Sequence, residues 1–522
     1  MIFSASELLT AKRGRWSYIA FAALVAISLV PLLAVGLPPL SDLYGHMGRY
    51  VIQTDLANRP ELARYYAFEW KVIGNLGVDL LVEVLHSRLG LEGAVKTSVI
   101  ATQLLAATGI LAISRQVHGR ITPFAILALP LIYGFPFNFG FLNFSLAMAL
   151  ALVTFAAWLR LRQSAGRWSP HLLLAVAGPA IWLCHTYGWA FLGLMCGSAA
   201  LADAIDRKDR PQTLVLRVLG ECWPLLLPII PMLAWRADTV GSKTGEWSLL
   251  LKAFWLASPL RTGSIILDGL SLQIMIIFGY WALRNKWTQF DRRIAFAAIF
   301  CALAFLILPS RVFGSYFADM RLVPYMFALA LLSISTERFP VATMRWMTAI
   351  ALAFFIARSA ITTVTYVERE KTMEQTLATL DSIPVGAHLA TFAVQSCDGG
   401  WAPPLLWHVG SMALVRRNAI VNDQWEFPGM NLLEIRNPAA GYFARDPSQM
   451  AQPDHCKKPY YPQLTEVLRH LPRDAFTYVW VVGELPAQMP EFADLRPLPH
   501  RGAGVLYKVM PTSRSNSTKV VR

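Results

Sequence analysis

The strongest constraint on how this chain folds is a series of long apolar blocks, separated by short polar breaks, between Trp16 and Thr363. A helix of about 20 apolar residues is long enough to cross a hydrocarbon layer of roughly 30 Å. Charged residues make up only 15% of the chain, against roughly 25% in a soluble domain. The candidate spans are 16–37, 94–114, 121–136, 141–159, 170–185, 187–202, 214–235, 262–283, 293–309, 321–336 and 345–363. The pattern predicts an α-helical polytopic membrane protein with about eleven transmembrane helices.

The first block follows Lys12, Arg13 and Arg15, as the apolar part of a signal peptide would. It is, however, long enough to span a membrane, and residues 35–39, Val-Gly-Leu-Pro-Pro, are a poor cleavage site because cleavage requires small residues. We therefore expect residues 1–15 to form a cytoplasmic N-terminus and 16–37 to be retained as the first helix.

Basic residues are concentrated in alternate breaks between the blocks. The intervening breaks are richer in aromatic residues, glycine and proline, as in 133–140. Basic loops of membrane proteins stay in the cytoplasm, which accounts for the net charge of +14 without a nucleic-acid partner. The arrangement predicts a multi-pass protein of the bacterial inner membrane with its C-terminal region in the periplasm. The basic breaks contain Arg115 and Arg120; Arg160, Arg162 and Arg167; Arg207, Lys208, Arg210 and Arg217; Arg284, Lys286, Arg292 and Arg293; and Arg338 and Arg345.

One further block, 72–89, is moderately apolar but contains Asp79, Glu83, His86 and Arg88. Counting it as a span would place the next basic break outside and invert every later loop. Ionisable residues are also costly at membrane depth. We therefore predict an amphipathic segment at the outer interface, and whether Asp79 faces the protein core or water stays open.

Two large pieces then lie outside the membrane: the loop 38–92 and the tail 364–522. The tail begins with a helical pattern over 367–380 and contains strand patterns over 383–392, 476–483 and 505–509. This is enough chain for one small α/β soluble domain, with a disordered end over the last ten residues. Cys397 and Cys456 lie in this tail, and an exported tail would allow them to form a disulfide.

The outer loop opens with a group of polar residues that could do chemistry. If 41–57 is a helix capped by Ser41, then Asp42, His46 and Arg49 are spaced by four and three residues and share one face. A carboxylate, an imidazole and a guanidinium supply a base, a second proton-transfer group and a phosphate binder. The alternative is a solvated helix that these pairs merely stabilise.

Several short stretches resemble uncharacterised bacterial members of the GT-C superfamily, which are integral membrane glycosyltransferases that use polyprenyl-phosphate sugar donors. The resemblance covers roughly 16–363, and the tail is outside it. The stretches are Asp42–Arg49 (DLYGHMGR), Asn75–Leu81 (NLGVDLL), Gly140–Leu146 (GFLNFSL), His185–Gly188 (HTYG) and Asp319–Pro324 (DMRLVP).

The resemblance implies that the acidic residue of the first outer loop, Asp42, is the general base on the acceptor. His46, on the same predicted helix face, is the second catalytic candidate. A cation must then bind the phosphate of the donor. The candidates are Arg49, Arg311 and Arg321, and Asp319 is placed with them in the substrate site. The alternative for Arg311 and Arg321 is anchoring to lipid headgroups or pairing with Asp319.

Three more residues are candidates for substrate binding. His185 and Tyr187 fall at a tight turn between two apolar blocks, and Asn143 follows the turn at Gly140. Two of them also have an ordinary structural alternative: an interfacial hydrogen bond for His185 and turn formation for Asn143.

Signals for other chemistry are missing from the sequence. It contains no Gly-x-Gly-x-x-Gly or Walker loop for a nucleotide and no His-Glu-x-x-His or Cys-x-x-Cys pair for zinc. The paired acidic motif common in better-known GT-C branches is also absent after the first helix. We therefore assign no metal ligand, and the question of a divalent cation as cofactor stays open.

The leading hypothesis is transfer of a sugar from a polyprenyl-phosphate donor to a glycan, lipid or protein acceptor of the cell envelope. A transporter or a flippase for lipid-linked glycans is the first alternative, and it would require ionisable residues near the middle of helices and an inverted repeat. A non-catalytic envelope assembly protein is the second. The expected partners are the lipid-linked donor, the acceptor and membrane lipids.

Overall fold

The computed structural model describes residues 5–164, 166, 168–237, 244–312, 315–427, 429–457 and 459–511. The described chain is mostly helical. Its helices are α1 (Ala5–Leu33), α2 (Leu43–Asp55), α3 (Gly77–His118), α4 (Pro123–Ala128), α5 (Phe135–Phe139), α6 (Leu142–Ser164), α7 (Ser169–Cys184), α8 (Thr186–Asp206), α9 (Pro211–Cys222), α10 (Ile229–Ala237), α11 (Leu249–Ala257), α12 (Ile265–Arg284), α13 (Arg292–Ile307), α14 (Val323–Leu332), α15 (Val341–Leu377), α16 (Ser411–Arg417) and α17 (Leu464–His470).

Each of the eleven predicted blocks coincides with helix, because an apolar block buries its backbone groups only by bonding them within itself. Within the described residues, five helices are long and apolar enough to cross a membrane: α3, α6, α8, α12 and α15. The bent pair α9 and α10 would make a sixth. Shorter apolar helices cover Ser17–Leu33, Pro123–Phe139, Ser169–Cys184 and Met320–Leu332. The count of eleven spans therefore stays a prediction.

The segment 72–89 is continuous with the following apolar block. Both belong to α3, which is interrupted at Gly90, where the backbone has φ 67° and ψ 171°. A left-handed φ is accessible to glycine at little cost, so the helix can change direction there. Asp79, in the part before Gly90, is fully buried, whereas Glu83 is half-buried.

The tail contains a mixed sheet. The strands of the chain are β1 (Tyr66–Phe68), β2 (Gln289–Phe290), β3 (Ile334–Ser335), β4 (His388–Val394), β5 (Ile420–Val421), β6 (Leu433–Ile435), β7 (Met450–Ala451), β8 (Tyr478–Gly483), β9 (Leu495–Leu498) and β10 (Val505–Val509). The sheet order is β5-β4-β8-β10-β9, with β7 also pairing to β4. β4 is parallel to its neighbours, and β10 is antiparallel to β8 and β9. The strands predicted near 383–392, 476–483 and 505–509 are β4, β8 and β10.

The outer loop and the tail form one packed layer. β1 of the loop pairs antiparallel with β6 of the tail, with Tyr66 opposite Ile435. The hydroxyl of Tyr66 also accepts from the amide of Val421 at 3.0 Å. Gly48 of α2 lies so close to Ser411 of α16 that a Cβ at this glycine would be 3.1 Å from the Ser411 Cβ. These contacts bring residues of the tail beside Asp42.

The start of the tail differs from the prediction. The helix expected over 367–380 is the end of α15, which runs without interruption from the preceding apolar block. The proposed boundary at 363 and 364 therefore lies inside a helix. Cys397 and Cys456 are joined by a disulfide, with their Cα atoms 5.4 Å apart. The predicted disordered end, 513–522, lies outside the described residues.

Candidate functional site

A cavity of about 950 Å³ lies between the apolar helices and the tail. We call its two sides the helical half and the tail half. The helical half is apolar and is lined by Ala190, Phe191 and Leu194 of α8, Ala304 of α13, Leu308 and Leu322. The tail half is aromatic and is lined by Trp407, Trp425, Phe427, Tyr442, Tyr460 and Tyr461. The polar residues that line the same cavity include Asp42, His46, Arg49, Asp79, Asn143, His185, Tyr187, Arg321, His408 and Asp446.

Asp42 is held at the cavity by a tight turn. Its amide donates to the carbonyl of Phe139 at 2.9 Å. Gly140 follows with φ +101°, and a Cβ there would be 2.8 Å from the Asp42 nitrogen and 3.0 Å from its Cβ. Only glycine fits both this conformation and this close approach. The turn therefore fixes the position of the Asp42 side chain.

Asp42 occupies the N-cap position of α2, in place of the predicted Ser41. Its carboxylate makes no capping hydrogen bond, and no described residue donates a hydrogen bond to it. Burial raises the pKa of Asp42 to about 7, which the charges of His408 and Arg321 partly oppose and Asp446 reinforces. A carboxylate with this pKa and without a structural partner can accept a proton near neutral pH.

His46 and Arg49 share the cavity-facing side of α2 with Asp42, as their spacing predicted. Burial lowers the pKa of His46 to about 3, so the ring is neutral, and its Nδ1 atom is buried without a hydrogen-bond partner in the described chain. Arg49 forms a buried ion pair with Asp79. The positive charge of Arg49 is therefore already balanced, which weakens it as a phosphate binder.

Asn143 is occupied by structural hydrogen bonds. Its amide nitrogen donates to Asp79 Oδ2 at 2.9 Å and to the carbonyl of Asn75 at 2.7 Å. Its oxygen accepts from the amide of Val78 at 2.6 Å. Asn143 thus links α6 to the start of α3 and orients Asp79 toward Arg49.

Arg321 is a buried cation without a carboxylate partner. It is 7% exposed, and no ion pair involves it in the described residues. One Nη atom donates to Ser315 Oγ at 2.9 Å, and the guanidinium carbon lies 4.1 Å from the centre of the Phe141 ring. Its Nε has no hydrogen-bond partner among the described residues. Since buried charges are normally paired, this arginine is suited to an anionic ligand.

His185 and Tyr187 form the junction of α7 and α8. The Nδ1 atom of His185 accepts from the Tyr187 amide at 3.1 Å and so caps α8. The Tyr187 hydroxyl donates to the carbonyl of Ala318 at 3.0 Å. Its ring centre lies 5.8 Å from the guanidinium carbon of Arg321. Both residues line the cavity, and Tyr187 helps to hold Arg321.

The structure separates Arg311 and Asp319 from the cavity lining. Arg311 forms an ion pair with Glu246 at 2.7 Å. Asp319 is fully buried and pairs with Lys252 at 2.9 Å. Because Asp319 also accepts from the amide of Met320 at 2.9 Å, its role is to hold the turn that carries Arg321.

Sequence reasoning missed His408 and Asp446, which both come from the tail. His408 Nε2 lies 4.0 Å from Asp42 Oδ1. Burial raises the pKa of Asp446, which also lines the cavity. The sequence holds one weak signal for this contact, which is the glycine at position 45 inside the predicted helix. In the structure, a Cβ at Gly45 would be 2.4 Å from the Trp425 ring and 3.0 Å from His408 Cγ. A glycine inside a helix costs stability and can mark a close approach of another element.

Among the described residues that line the cavity, no three potential metal ligands lie close together. In the part of the chain that the structure describes, one group of three potential ligands lies close together, Cys397, His455 and Cys456. Its two cysteines are disulfide-bonded and so are not thiolates. Of the cavity carboxylates, Asp79 is committed to Arg49. No step is therefore assigned to a metal.

These features define a class of site: a polar chamber that is continuous with an apolar space between helices. It can hold an amphipathic ligand, with the apolar part in the helical half, an anionic head at Arg321 and a proton acceptor at Asp42. No protein-family model matches the chain, and no curated protein matches it.

Solved structures that are similar to this one include two of the same protein. One is ArnT from Cupriavidus metallidurans bound to undecaprenyl phosphate, with a TM-score of 0.47, 10% identity and coverage of 94% of this chain and 97% of that chain. The other is the same protein in the apo state, with a TM-score of 0.47, 12% identity and coverage of 95% and 98%.

Proposed function

We propose that this chain is a GT-C type glycosyltransferase of the bacterial inner membrane. It transfers a sugar from a polyprenyl-phosphate donor to an acceptor of the cell envelope on the periplasmic side. The membrane domain has about eleven spans, and the tail is an α/β region outside the membrane. The observation that carries the proposal is that Asp42 and Arg321 line the same cavity. Asp42 is a buried carboxylate that accepts no hydrogen bond from the described residues, and Arg321 is a buried cation without a carboxylate partner among them.

The apolar half of the cavity suits the polyprenyl chain. Phe191, Leu194 and Leu308 leave an apolar space beside Arg321. An arginine can bind phosphate through two parallel hydrogen bonds. In the reaction it would stabilise the negative charge that grows on the leaving phosphate, where a fixed cation in a water-poor site is most effective.

Asp42 is the proposed general base. As the acceptor oxygen attacks the anomeric carbon, Asp42 removes its proton, and the bond from that carbon to the phosphate oxygen breaks. The electron pair leaves with the polyprenyl phosphate, which needs no added proton at neutral pH. A single carboxylate is therefore sufficient for a displacement with inversion.

The tail half favours a hydroxyl acceptor over a phosphorylated one. None of the described tail residues that line the cavity is a lysine or an arginine, and Asp446 adds a carboxylate. Arg49 is balanced by Asp79, and Arg321 is needed by the donor. An acceptor phosphate would meet repulsion here, whereas the faces of a sugar can pack on Tyr442 and Tyr460.

The test is restoration of an envelope glycan in a strain that lacks this gene. Wild-type protein, Asp42→Asn and the exposed control Asp474→Asn are expressed, and the glycans are compared by mass spectrometry. We expect Asp42→Asn to lower product by about 100-fold or more, the usual size of general-base effects, and Asp474→Asn to behave as wild type. Binding of undecaprenyl phosphate to the purified variants verifies their folding. Full product from Asp42→Asn would show the mechanism to be wrong.

A further inference from the structure

A histidine of the tail faces the proposed base. His408 Nε2 lies 4.0 Å from Asp42 Oδ1, with 2% and 12% of the two side chains exposed. The distance is longer than a hydrogen bond, so proton transfer between them requires the two side chains to approach each other. Asp42 lies in the first outer loop and His408 in the tail, and no sequence motif connects them.

The second ring nitrogen of His408 fixes which atom faces Asp42. His408 Nδ1 lies 2.8 Å from the carbonyl oxygen of Asp423. A carbonyl can only accept, so Nδ1 carries the proton, and Nε2 of the neutral ring has the lone pair. Asp423 is itself fixed, since its carboxylate accepts from the Ser411 amide and hydroxyl, both at 2.8 Å.

The ring is also held by packing. The centre of the Trp425 ring lies 4.1 Å from that of His408. Both rings approach α2 at Gly45, where a Cβ would collide with them. The imidazole therefore cannot move far from Asp42 without displacing Trp425.

Four titratable groups surround the imidazole. They are Asp42 at the start of α2, His46 one turn later, and Asp423 and Asp446 from the tail. Burial raises the pKa of Asp423 to about 6, and it lowers the pKa of His46 to about 3. Carboxylates thus dominate the surroundings of the imidazole.

We infer that His408 is a positioning residue for the base: it accepts through Nε2 the proton that Asp42 removes and so returns Asp42 to its ionised form. The inference rests on the proposed function. In the step, the acceptor O–H bond breaks, its proton goes to Asp42, and the acceptor oxygen bonds to the anomeric carbon. The proton then moves from the Asp42 carboxyl to His408 Nε2, so that an imidazolium and a carboxylate remain.

The first experiment measures the protonation of Asp42 without substrate. Dicyclohexylcarbodiimide labels protonated, buried carboxyl groups, and mass spectrometry quantifies the label on Asp42 across a pH series. His408→Asn is the informative variant, because its amide nitrogen can still donate to Asp423 while the Nε2 lone pair is lost. In the wild type, a proton taken up by the pair can move to His408 Nε2, and the resulting charge lowers the pKa of Asp42. In His408→Asn the proton stays on Asp42, so we expect the labelling midpoint to rise by about one pH unit.

The controls are His470→Asn, an exposed histidine on α17, and Asp42→Asn, which removes the labelled group. His470→Asn should leave the midpoint at the wild-type pH. An unchanged midpoint in a His408→Asn protein that still binds undecaprenyl phosphate would overturn the inference. His408→Ala, which also loses the bond to Asp423, shows how much of any change comes from altered packing.

The second experiment separates this inference from the proposed function. In the glycan-restoration assay we expect His408→Asn to lower product about 10-fold to 100-fold and Asp42→Asn to lower it further. Loss of product in Asp42→Asn with full product in His408→Asn overturns only the role of His408. Full product in Asp42→Asn overturns the general base, and with it the proton transfer proposed for His408.

Discussion

The two halves of the cavity differ in how they are built and in what they can bind. The helical half comes from apolar helices and holds one uncompensated cation, Arg321. The tail half comes from a region with a mixed sheet, and its described lining contains aromatic rings, His408 and Asp446 but no lysine or arginine. An anionic amphipathic ligand fits the first half, and a neutral polar ligand fits the second. The pKa of Asp42 depends on both halves of the cavity. Burial raises it, and the charges of Arg321 from the helical half and His408 from the tail half lower it.

The largest effect is expected in the helical half. Arg321→Ala removes the cation proposed for the donor phosphate, and a charged hydrogen bond contributes about 1.5–3 kcal/mol. The affinity for undecaprenyl phosphate should fall about 10-fold to 100-fold, measured by binding to the purified protein in nanodiscs. Arg321→Lys should lose less. Arg311→Ala, in the same loop but paired with Glu246, should bind nearly as wild type, and equal losses in the two alanine variants would contradict the assignment.

A smaller effect is expected at the turn that carries Asp42. Gly140→Ala places a Cβ against the Asp42 backbone at a positive φ, which costs roughly 1–3 kcal/mol. We expect a lower melting temperature and about 10-fold less glycan product, because the base is displaced. Gly193→Ala on α8, where a Cβ meets nothing within 4 Å, is the matched control. Normal product from Gly140→Ala would mean that the position of Asp42 is not critical.

The tail half should affect acceptor use alone. The double variant Tyr442→Ala, Tyr460→Ala removes two exposed rings at the cavity, which are 59% and 79% exposed. We expect about 3-fold to 10-fold less product, as for loss of packing on one or two rings, with unchanged affinity for undecaprenyl phosphate. Tyr280→Ala, exposed on α12, is the control. A weaker affinity for undecaprenyl phosphate in the double variant would contradict the assignment of donor binding to the helical half and acceptor binding to the tail half.

The smallest effect concerns stability against pH. Because burial raises the pKa of Asp42 to about 7, its neutral form stabilises the fold. That contribution is complete below the pKa of an unfolded aspartate and is lost as the pH rises through about 7. Asp42→Asn should therefore melt about 1–3 °C higher than wild type at about pH 8 and at the same temperature at about pH 4. Thermal unfolding in detergent measures this, and a variant that is less stable at about pH 8 would contradict the assigned pKa.

The helices could be predicted because their cause is local. An apolar block such as 141–159 forms a helix wherever it lies in a membrane, since its backbone groups must bond within the segment. The shared face of Asp42, His46 and Arg49 is local too, because it depends only on spacings of three and four. The strands β4, β8 and β10 were visible from their runs of β-branched and aromatic residues.

The roles of the charged residues could not be predicted in the same way. Arg311 and Arg321 have similar surroundings in the sequence, but Glu246 neutralises the first and no described carboxylate reaches the second. Arg49 has the residue type and the sequence position of a phosphate binder, but Asp79 lies beside it and balances its charge. Whether a cation is free for a ligand depends on partners that only folding brings near.

The sequence by itself determined a helical membrane protein with polar chemistry beginning at Asp42, because composition and short spacings act over one or two helical turns. The tertiary structure decided which of those polar residues are available. It paired Arg49 with Asp79 and Asp319 with Lys252, and it left Arg321 without a carboxylate in the described chain. It also brought His408 from the tail to within 4.0 Å of Asp42. Charge interactions act through space over a few ångströms, and the sequence does not specify which distant residues meet at that range.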